Sequence, residues 1–397
     1  MIRGCCICST LLFNQGVKQM ELYIHIPFCV RKCAYCDFLS FPQTKETMQR
    51  YVEKLTEEIR WAGKQYQGRG VSSVFIGGGT PSILEAEQML RIMQAIHESF
   101  YIEETAEISI EANPGTVAEE KLRAYRQAGI NRISFGLQSA DDAELKLLGR
   151  IHTYEEFLEN FRLARTCGFD NINVDLMSAL PGQTVNSWEE TLIRVAELEP
   201  EHISAYSLII EEGTPFYEKY GEGRGEGLLP DEDSEREMYH RTKAILKDMG
   251  YDRYEISNYA KSGKECRHNV GYWTGVPYLG LGLGASSYLD GSRFCNDSDL
   301  DSYLNGAHGR RFDEQILTER DMQEEYFFVG LRLVEGVSVK GFEERFGVTV
   351  ETVYPGLMER LVREGGAEFA GKDKDRFCLT EFGMDVSNYI MAQFLQD

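Results

Sequence analysis

Residues 22–36 read LYIHIPFCVRKCAYC, an apolar β-branched run followed at once by three cysteines. The run at 22–26 has the composition of a buried β-strand. Five further runs of this kind follow, and segments with helical spacing of apolar residues separate them, as at 46–63 and 88–100. The predicted strands are 22–26, 71–76, 107–112, 132–137, 172–177 and 202–210.

Regular alternation of strand and helix predicts a parallel sheet with right-handed crossovers. Six such units would curl into part of a barrel, so the predicted fold class is α/β, a partial (β/α)6 TIM-type barrel. In such folds the chemistry gathers at the carboxyl ends of the strands. Four S/T-x-x-E pairs near the helix starts are predicted to be capping boxes, in which each side chain satisfies a free backbone N–H. They are Ser82/Glu85, Thr116/Glu119, Thr153/Glu156 and Ser187/Glu190.

The chain divides into four predicted segments. Residues 1–19 read as an upstream extension before Met20, and residues 20–260 form the part-barrel. Residues 261–315 are expected to be a linker region, and 316–397 a small winged-helix-like α domain. Within that domain, helices are predicted at 331–347 and 356–366, followed by a hairpin-like stretch and a closing helix. A packing or lid role suits this domain better than DNA binding because the chain is acidic.

The charge balance excludes some classes of partner. Lys and Arg number 42 against 64 Asp and Glu, a net charge of −22, which argues against general nucleic-acid binding and against attachment to anionic lipid by charge. No apolar run reaches the roughly 18 residues of a membrane span. The ten cysteines show no evenly spread pairing pattern and follow no convincing signal peptide, so reduced thiols and a cytoplasmic location are expected.

The three clustered cysteines, Cys29, Cys33 and Cys36, admit three interpretations. A structural zinc site would need a fourth ligand, for which His25 is the nearby candidate. The cysteines could instead be structural residues that cluster by chance. In the third interpretation they hold a [4Fe–4S] cluster, because thiolates suit such clusters. Three ligands would leave one iron open to a small molecule.

Glycines and polar residues stand at the ends of several predicted strands. The run 77–79 is three glycines, which permit either an ordinary tight turn or the close approach of a ligand to the backbone. Four polar side chains at or beyond strand ends need partners, because burying them unpaired costs about 1–3 kcal/mol. Each is either a structural cap or ion pair or a ligand contact, the carboxylates suiting a cation and the arginine a carboxylate. They are Glu111, Gln138, Arg150 and Asp175.

The C-x3-C-x2-C spacing after the first strand resembles that of the radical S-adenosylmethionine (SAM) superfamily. The resemblance implies that the three cysteines hold a [4Fe–4S] cluster whose open iron binds the amino and carboxylate groups of SAM. YIHIPFCVRKCAYCDF, FIGGGTPS, RISFGLQS and NVDLMSALPGQT are similar to the group containing the oxygen-independent coproporphyrinogen III dehydrogenase HemN and a related heme chaperone. The SAM-site residues it implies are Tyr23, Tyr35, Gly78, Gly79, Thr80, Glu111, Gln138, Arg150, Asp175 and Ser207.

Two features favour the chaperone branch of this group. Phe38 stands where the dehydrogenase carries a further cysteine, and RHNVGYW at 267–273 is similar to the HNxxYW signature of the chaperone. An imidazole is a good heme ligand and aromatic rings can stack on a porphyrin, although a bonded loop histidine beside a packed Trp is also possible. Cys266 is an alternative ligand. The implied heme-region residues are His268, Asn269, Tyr272 and Trp273.

The resemblance therefore implies a heme chaperone with a [4Fe–4S] cluster, SAM and heme. Its partners would be heme and an acceptor hemoprotein, either a respiratory, membrane-bound one or another, and it would bind no nucleic acid. A homodimer is compatible with this reading. The alternative is a coproporphyrinogen III dehydrogenase, in which radical chemistry drives an oxidative decarboxylation.

Overall fold

The computed structural model describes residues 18–395. Residues 1–17, which hold most of the predicted upstream extension, lie outside this range. The first strand begins at Lys18, two residues before Met20. No helix in the described range has the length and apolarity needed to cross a bilayer.

Strands of one large sheet run through most of the described chain. They are β1 (Lys18–Ile26), β2 (Arg69–Gly78), β3 (Tyr101–Ala112), β4 (Arg132–Gln138), β5 (Ile172–Ser178), β6 (His202–Ser207), β7 (Asp252–Arg253), β8 (Asn258–Ala260), β9 (Tyr278–Leu281), β10 (Ser286–Leu289), β11 (Ser292–Cys295) and β12 (Phe312–Ile316). β1 to β6 lie side by side in chain order and are parallel throughout. All six predicted strands are confirmed, and with them the six-stranded part-barrel.

Helices connect and cover the strands, with a 3-10 turn at Pro81–Ile83 after β2. The two helical patterns singled out in the sequence are confirmed as the first two helices. The helices are α1 (Lys45–Gln65), α2 (Ala86–Ser99), α3 (Glu119–Gln127), α4 (Asp142–Leu148), α5 (Tyr154–Thr166), α6 (Val185–Ala196), α7 (Pro215–Tyr220), α8 (Glu232–Asp248), α9 (Arg267–Thr274), α10 (Leu300–Asn305), α11 (Glu319–Gly330), α12 (Val339–Phe346), α13 (Val350–Val353), α14 (Leu357–Arg363), α15 (Glu381–Asp385) and α16 (Ser387–Ala392).

Both edges of the part-barrel are extended. β8 and β7 continue the sheet antiparallel beyond β6. On the other side β9 pairs parallel with β1, and β10, β11 and β12 follow as antiparallel neighbours. The range 261–315, expected to be a linker region, thus supplies α9, α10 and four strands of the same sheet.

Three of the four predicted capping boxes are wrong. Thr153 and Glu156 form the predicted reciprocal pair at α5. At α2 the N-cap is Glu85 with Gln88, while Ser82 lies in the 3-10 turn and bonds Thr116 instead. α3 begins after Ala118, and the box at α6 is Thr184 with Ser187. Short polar side chains bond whichever backbone group the fold brings near, so the motif spacing alone does not fix the cap.

A separate apolar core lies in the C-terminal unit. Three short strands, β13 (Val337–Ser338), β14 (Ala367–Ala370) and β15 (Arg376–Leu379), pair antiparallel beneath α11 to α16, as the winged-helix-like prediction expects. Phe327 and Phe394 stack at its centre, 4.2 Å between ring centroids. The predicted helix at 331–347 is wrong in its first half: α11 ends at Gly330, and the positive φ of Gly336 turns the chain into β13 before α12 begins.

Candidate functional site

The three cysteines occupy a loop that leaves β1 and is closed at its base by backbone bonds. Cys29 N donates to Phe41 O at 3.2 Å, and Phe41 N donates to Pro27 O at 3.0 Å. Inside the loop Cys36 N donates to Cys33 O at 3.3 Å. All three thiols are free and half-buried. Burial raises the pKa of the Cys36 thiol.

Two neighbours of the loop contact the sulfur atoms. Thr80 Oγ1 lies 3.4 Å from Cys29 Sγ, and Arg150 Nη1 donates to Cys33 Sγ at 3.5 Å. A set of three thiols with such neighbours fits an iron–sulfur cluster by its donor chemistry.

His25, the candidate fourth ligand for zinc, is already engaged through both ring nitrogens. Its Nδ1 lies 2.9 Å from Tyr23 Oη, and its Nε2 lies 3.0 Å from the Leu39 carbonyl oxygen. Burial lowers the pKa of His25, so the ring is neutral. Within residues 18–395, no three His, Cys, Asp or Glu side chains are gathered around a single-ion site.

The glycine turn after β2 lies directly against the end of β1. Gly79 N donates to Ile26 O at 2.9 Å, and Thr80 N donates to Phe28 O at 2.7 Å. A Cβ on Gly79 would stand 2.7 Å from the Phe28 carbonyl oxygen. Gly78 has φ of +110°, and a Cβ there would meet the His25 ring at 2.3 Å. The glycines therefore let this turn approach β1 and place Thr80 beside the cysteine loop.

Two half-buried carboxylates lie in the same region of the sheet. Glu111 accepts from Gly78 N at 2.9 Å, and Asp175 accepts from Ser134 Oγ and Asn173 Nδ2, each at 2.8 Å. Burial, with the nearby charge of Asp175, raises the pKa of Glu111 to about 7. A positively charged ligand would relieve this repulsion, as expected for a sulfonium.

Arg150 links the cysteine loop to the end of β3 and to β4. Its Nη2 donates to Asn113 Oδ1 at 2.6 Å and to the Gly136 carbonyl oxygen. Its Nε is buried without a hydrogen-bond partner among the described residues. Asn113 in turn donates to Thr80 Oγ1 at 2.9 Å. The sequence did not single out Asn113, although its place two residues after Glu111 at a strand end was a usable signal.

The remaining predicted SAM residues differ in their surroundings. Gln138 ends β4 at a bulge with φ of +79°, which re-aims its side chain. Tyr35 lies against Phe216 of α7, 6.4 Å between ring centroids, and burial raises the pKa of its hydroxyl. Ser207 is exposed at the end of β6 and donates to Glu235 of α8.

The HNxxYW segment is the short helix α9, seated on β1 and β2. His268 is 1% exposed, and its ring stacks on Phe75 at 5.1 Å between centroids. Its Nδ1 lies 2.7 Å from Ser73 Oγ and its Nε2 lies 2.9 Å from Tyr272 Oη. Burial, with the nearby Arg132 charge, lowers the pKa of His268 to about 3. The imidazole is therefore neutral, and neither ring nitrogen is open.

Glu21 and Cys266 lie beneath the same helix. Glu21 Oε2 lies 3.7 Å from His268 Nδ1, and burial raises the pKa of Glu21 to about 9, so this contact joins two neutral groups at neutral pH. A Cβ on Gly271 would stand 2.1 Å from Glu21 Oε1, so glycine allows the close seating of α9. The Cys266 thiol is buried and donates to Glu107 at 3.4 Å, and burial raises its pKa.

The other two motif residues are less buried than His268. Asn269 is half-buried. Trp273 lines a pocket between α9 and the C-terminal unit, and the Arg332 guanidinium lies 4.4 Å above its ring. The structure thus separates the predicted heme residues into a buried histidine and an accessible tryptophan.

The part-barrel with its three-cysteine loop defines a radical SAM protein, and the chain matches the Radical SAM superfamily over residues 23–195. A second match, to the HemN C-terminal domain, covers residues 317–386. The chain belongs to the HemW family. It is 36% identical over 381 residues to the heme chaperone HemW of Lactococcus lactis, covering 96% of this chain and 98% of that protein. It is also 35% identical to the heme chaperone HemW of Bacillus subtilis, covering 94% and 98%.

The fold is similar to a solved structure of the related enzyme. Coproporphyrinogen III oxidase (HemN) from Escherichia coli, described as a radical SAM enzyme, superimposes with a TM-score of 0.82 at 25% identity. The match covers 95% of this chain and 90% of that one. The fold class predicted from the sequence is therefore confirmed.

Proposed function

We propose that this protein is a heme chaperone built on a radical SAM scaffold, binding heme and passing it to an acceptor hemoprotein. The observation that carries the proposal is the similarity over 98% of the length of a protein named heme chaperone HemW. Phe38 adds support, because it replaces the further cysteine expected of the dehydrogenase and is 64% exposed beside the loop.

Cys29, Cys33 and Cys36 would hold the [4Fe–4S] cluster in this proposal. Such a cluster supplies an open iron for the amino and carboxylate groups of SAM and a source of electrons. Arg150 orients the loop through Cys33 and offers a guanidinium that suits a carboxylate. Glu111 and Asp175 supply negative charge for the sulfonium. These contacts would license assembly or transfer rather than turnover.

The HNxxYW residues would act around the heme in two different ways. His268 and Tyr272 bond each other and hold α9 on the sheet. Heme ligation by His268 would require its bond to Ser73 or to Tyr272 to break. Trp273 is open to a ligand without any such change.

The proposed acceptor is a hemoprotein, specifically a respiratory, membrane-bound one, and the proposed assembled form is a homodimer. A cytoplasmic location is proposed as well, supported by the seven described cysteines, which are all unpaired. Sedimentation of the reconstituted protein tests the dimer, and co-purification with membrane hemoproteins tests the acceptor class.

The second candidate function is oxidative decarboxylation of coproporphyrinogen III. The observation that favours it is the TM-score of 0.82 to the HemN enzyme. Both functions use the same cluster loop, so the cysteines do not separate them. The two functions are distinguished only by whether coproporphyrinogen III is converted.

One anaerobic experiment distinguishes the two. The protein is reconstituted with iron and sulfide, given SAM, and divided between a heme titration and an incubation with coproporphyrinogen III. A saturable shift of the Soret band without protoporphyrinogen formation is the expected result. Protoporphyrinogen formation, or the absence of any saturable Soret shift, would overturn the chaperone proposal. The Cys33→Ser variant serves as the control that lacks a complete ligand set.

A further inference from the structure

A pocket lies where α9 and the β9–β11 strands meet the C-terminal unit. It encloses about 170 Å³, against about 10 Å³ for the small pocket beside Cys33 and Arg150, and the two share no lining residue. Its walls come from α9, from β9 to β11, and from α11, α12 and β15. At about 30 Å³ per water in the liquid, this volume corresponds to roughly six waters, enough for one edge of a flat ligand. We name it the aromatic pocket.

Aromatic rings form one wall of the aromatic pocket. Tyr272 and Tyr278 lie 4.6 Å apart between ring centroids, and Tyr278 and Tyr288 lie 6.3 Å apart. Trp273 and Tyr326 complete the ring-bearing lining. The indole Nε1 of Trp273 is buried without a hydrogen-bond acceptor among the described residues. Such a wall suits the face of a planar, conjugated ligand.

Cationic side chains lie around the same pocket. Arg345 donates to the Tyr288 hydroxyl at 3.4 Å and forms no ion pair with any carboxylate in the described part of the chain. Arg293 lies 3.0 Å from Glu325. Arg376 donates to the Gly336 carbonyl oxygen at 2.7 Å and pairs with Glu335, which is 73% exposed. The lining thus carries three arginines against two glutamates on a chain of net charge −22.

We propose that the aromatic pocket binds the edge of a planar aromatic dicarboxylate, which is the porphyrin if the proposed function holds. The ring face would stack on the Trp273 and Tyr278 side, and a carboxylate would reach Arg345, with Arg376 as its neighbour. Arginine suits this task because its guanidinium binds carboxylates in a bidentate geometry. In this arrangement His268 holds α9 on the sheet through its hydrogen bonds, and Trp273 contacts the ligand.

The pocket joins two parts of the chain, so its occupation has a structural consequence. α9 and β9–β11 belong to the large sheet, and Arg345 and Tyr326 belong to the C-terminal unit. A ligand held between them adds contacts across this boundary and raises the free energy needed to separate the two parts.

The test compares Arg345→Gln with Arg363→Gln, an exposed arginine of α14 in the same unit that does not line the pocket. Heme, iron-free protoporphyrin IX and protoporphyrin dimethyl ester are titrated into each full-length variant. Loss of one charged hydrogen bond should weaken binding of heme and of protoporphyrin IX about tenfold in Arg345→Gln only. The dimethyl ester, which lacks carboxylates, should bind weakly to the native protein and lose nothing further in that variant.

Met322→Trp provides a second arm that fills the aromatic pocket and leaves its charges in place. It should abolish binding of all three porphyrins, while circular dichroism confirms that the variants fold. Equal heme affinity in Arg345→Gln and Arg363→Gln, together with native affinity in Met322→Trp, would overturn the pocket assignment and leave the chaperone proposal standing. Absence of heme binding by the native protein would instead overturn the proposed function.

Discussion

Replacing Glu21 by Gln should stabilise the protein, and more so as the pH rises. Burial beneath α9 raises the pKa of Glu21 to about 9, from 4.5 for an ordinary glutamate. Above pH 4.5 the folded protein therefore keeps a proton that the unfolded chain releases. Stability falls as the pH rises through this window, and the loss is complete only above about pH 9. Glutamine cannot ionise in either state, so the substitution removes this penalty.

The size of the stability gain follows from the pH range between the unfolded and folded pKa values of Glu21. Each pH unit between the two pKa values corresponds to about 1.4 kcal/mol. Between pH 6 and pH 8, the advantage of Glu21→Gln over the native chain should therefore grow by about 2–3 kcal/mol. Both pH values lie above the sequence pI of about 4.9, which keeps the chain negatively charged and soluble.

Urea unfolding followed by tryptophan fluorescence measures this difference at each pH. Glu120→Gln, which removes a charge from an exposed position, is the matched control for the general effect of lowering the net negative charge. An advantage of Glu21→Gln that stays constant between pH 6 and pH 8, or that Glu120→Gln reproduces, would refute the reasoning. So would a loss of stability at pH 8.

Three further predictions concern the cysteine loop and its surroundings. Cys33→Ser should lose most of the iron and acid-labile sulfide taken up on anaerobic reconstitution, whereas Cys167→Ser, at a buried cysteine outside the loop, should keep both. SAM should bind more weakly as the pH falls through about 7, because protonation of Glu111 removes a negative charge, and Glu111→Gln should flatten this profile in equilibrium dialysis. Gly79→Ala should lower stability by about 1–3 kcal/mol, because the new Cβ would meet backbone oxygens at 2.7 and 2.9 Å, and an unchanged melting temperature would contradict this.

The fold was predictable because its signals are local and repeated. Five of the six β-branched runs are largely buried on both faces, so each of these reads as a strand without knowledge of its neighbours. The capping boxes were less predictable, because the Ser82 hydroxyl bonds the Thr116 hydroxyl instead of capping the start of α2. The strand at 278–281 was missed because Gly280 and Gly282 weaken the strand pattern; a Cβ on Gly280 would stand 2.2 Å from the Ser286 carbonyl oxygen.

The residues of the candidate site likewise differ in whether the sequence alone predicts their placement. The positions of the cysteine motif and the glycine turn were predictable from the sequence, because each is a short contiguous segment of the chain. The role of His268 was not predictable in this way. Its residue type suggests a metal ligand, but in the fold it is buried and its two ring nitrogens bond Ser73 and Tyr272. Asn113 joins Thr80 to Arg150 across three separate loops, and no local pattern encodes that link.

The pairing of β9 with β1 also bears on how the chain is made. β1 acquires its neighbour β2 early in synthesis, but its other edge waits for residues 278–281, roughly 250 positions later. At 5–20 residues per second, the ribosome takes on the order of 10–50 seconds to deliver that strand. During this interval the edge beside the cysteine loop is an open template for strand addition. Cluster insertion before residues 278–281 leave the ribosome would therefore occur on a sheet in which this edge of β1 is still unpaired.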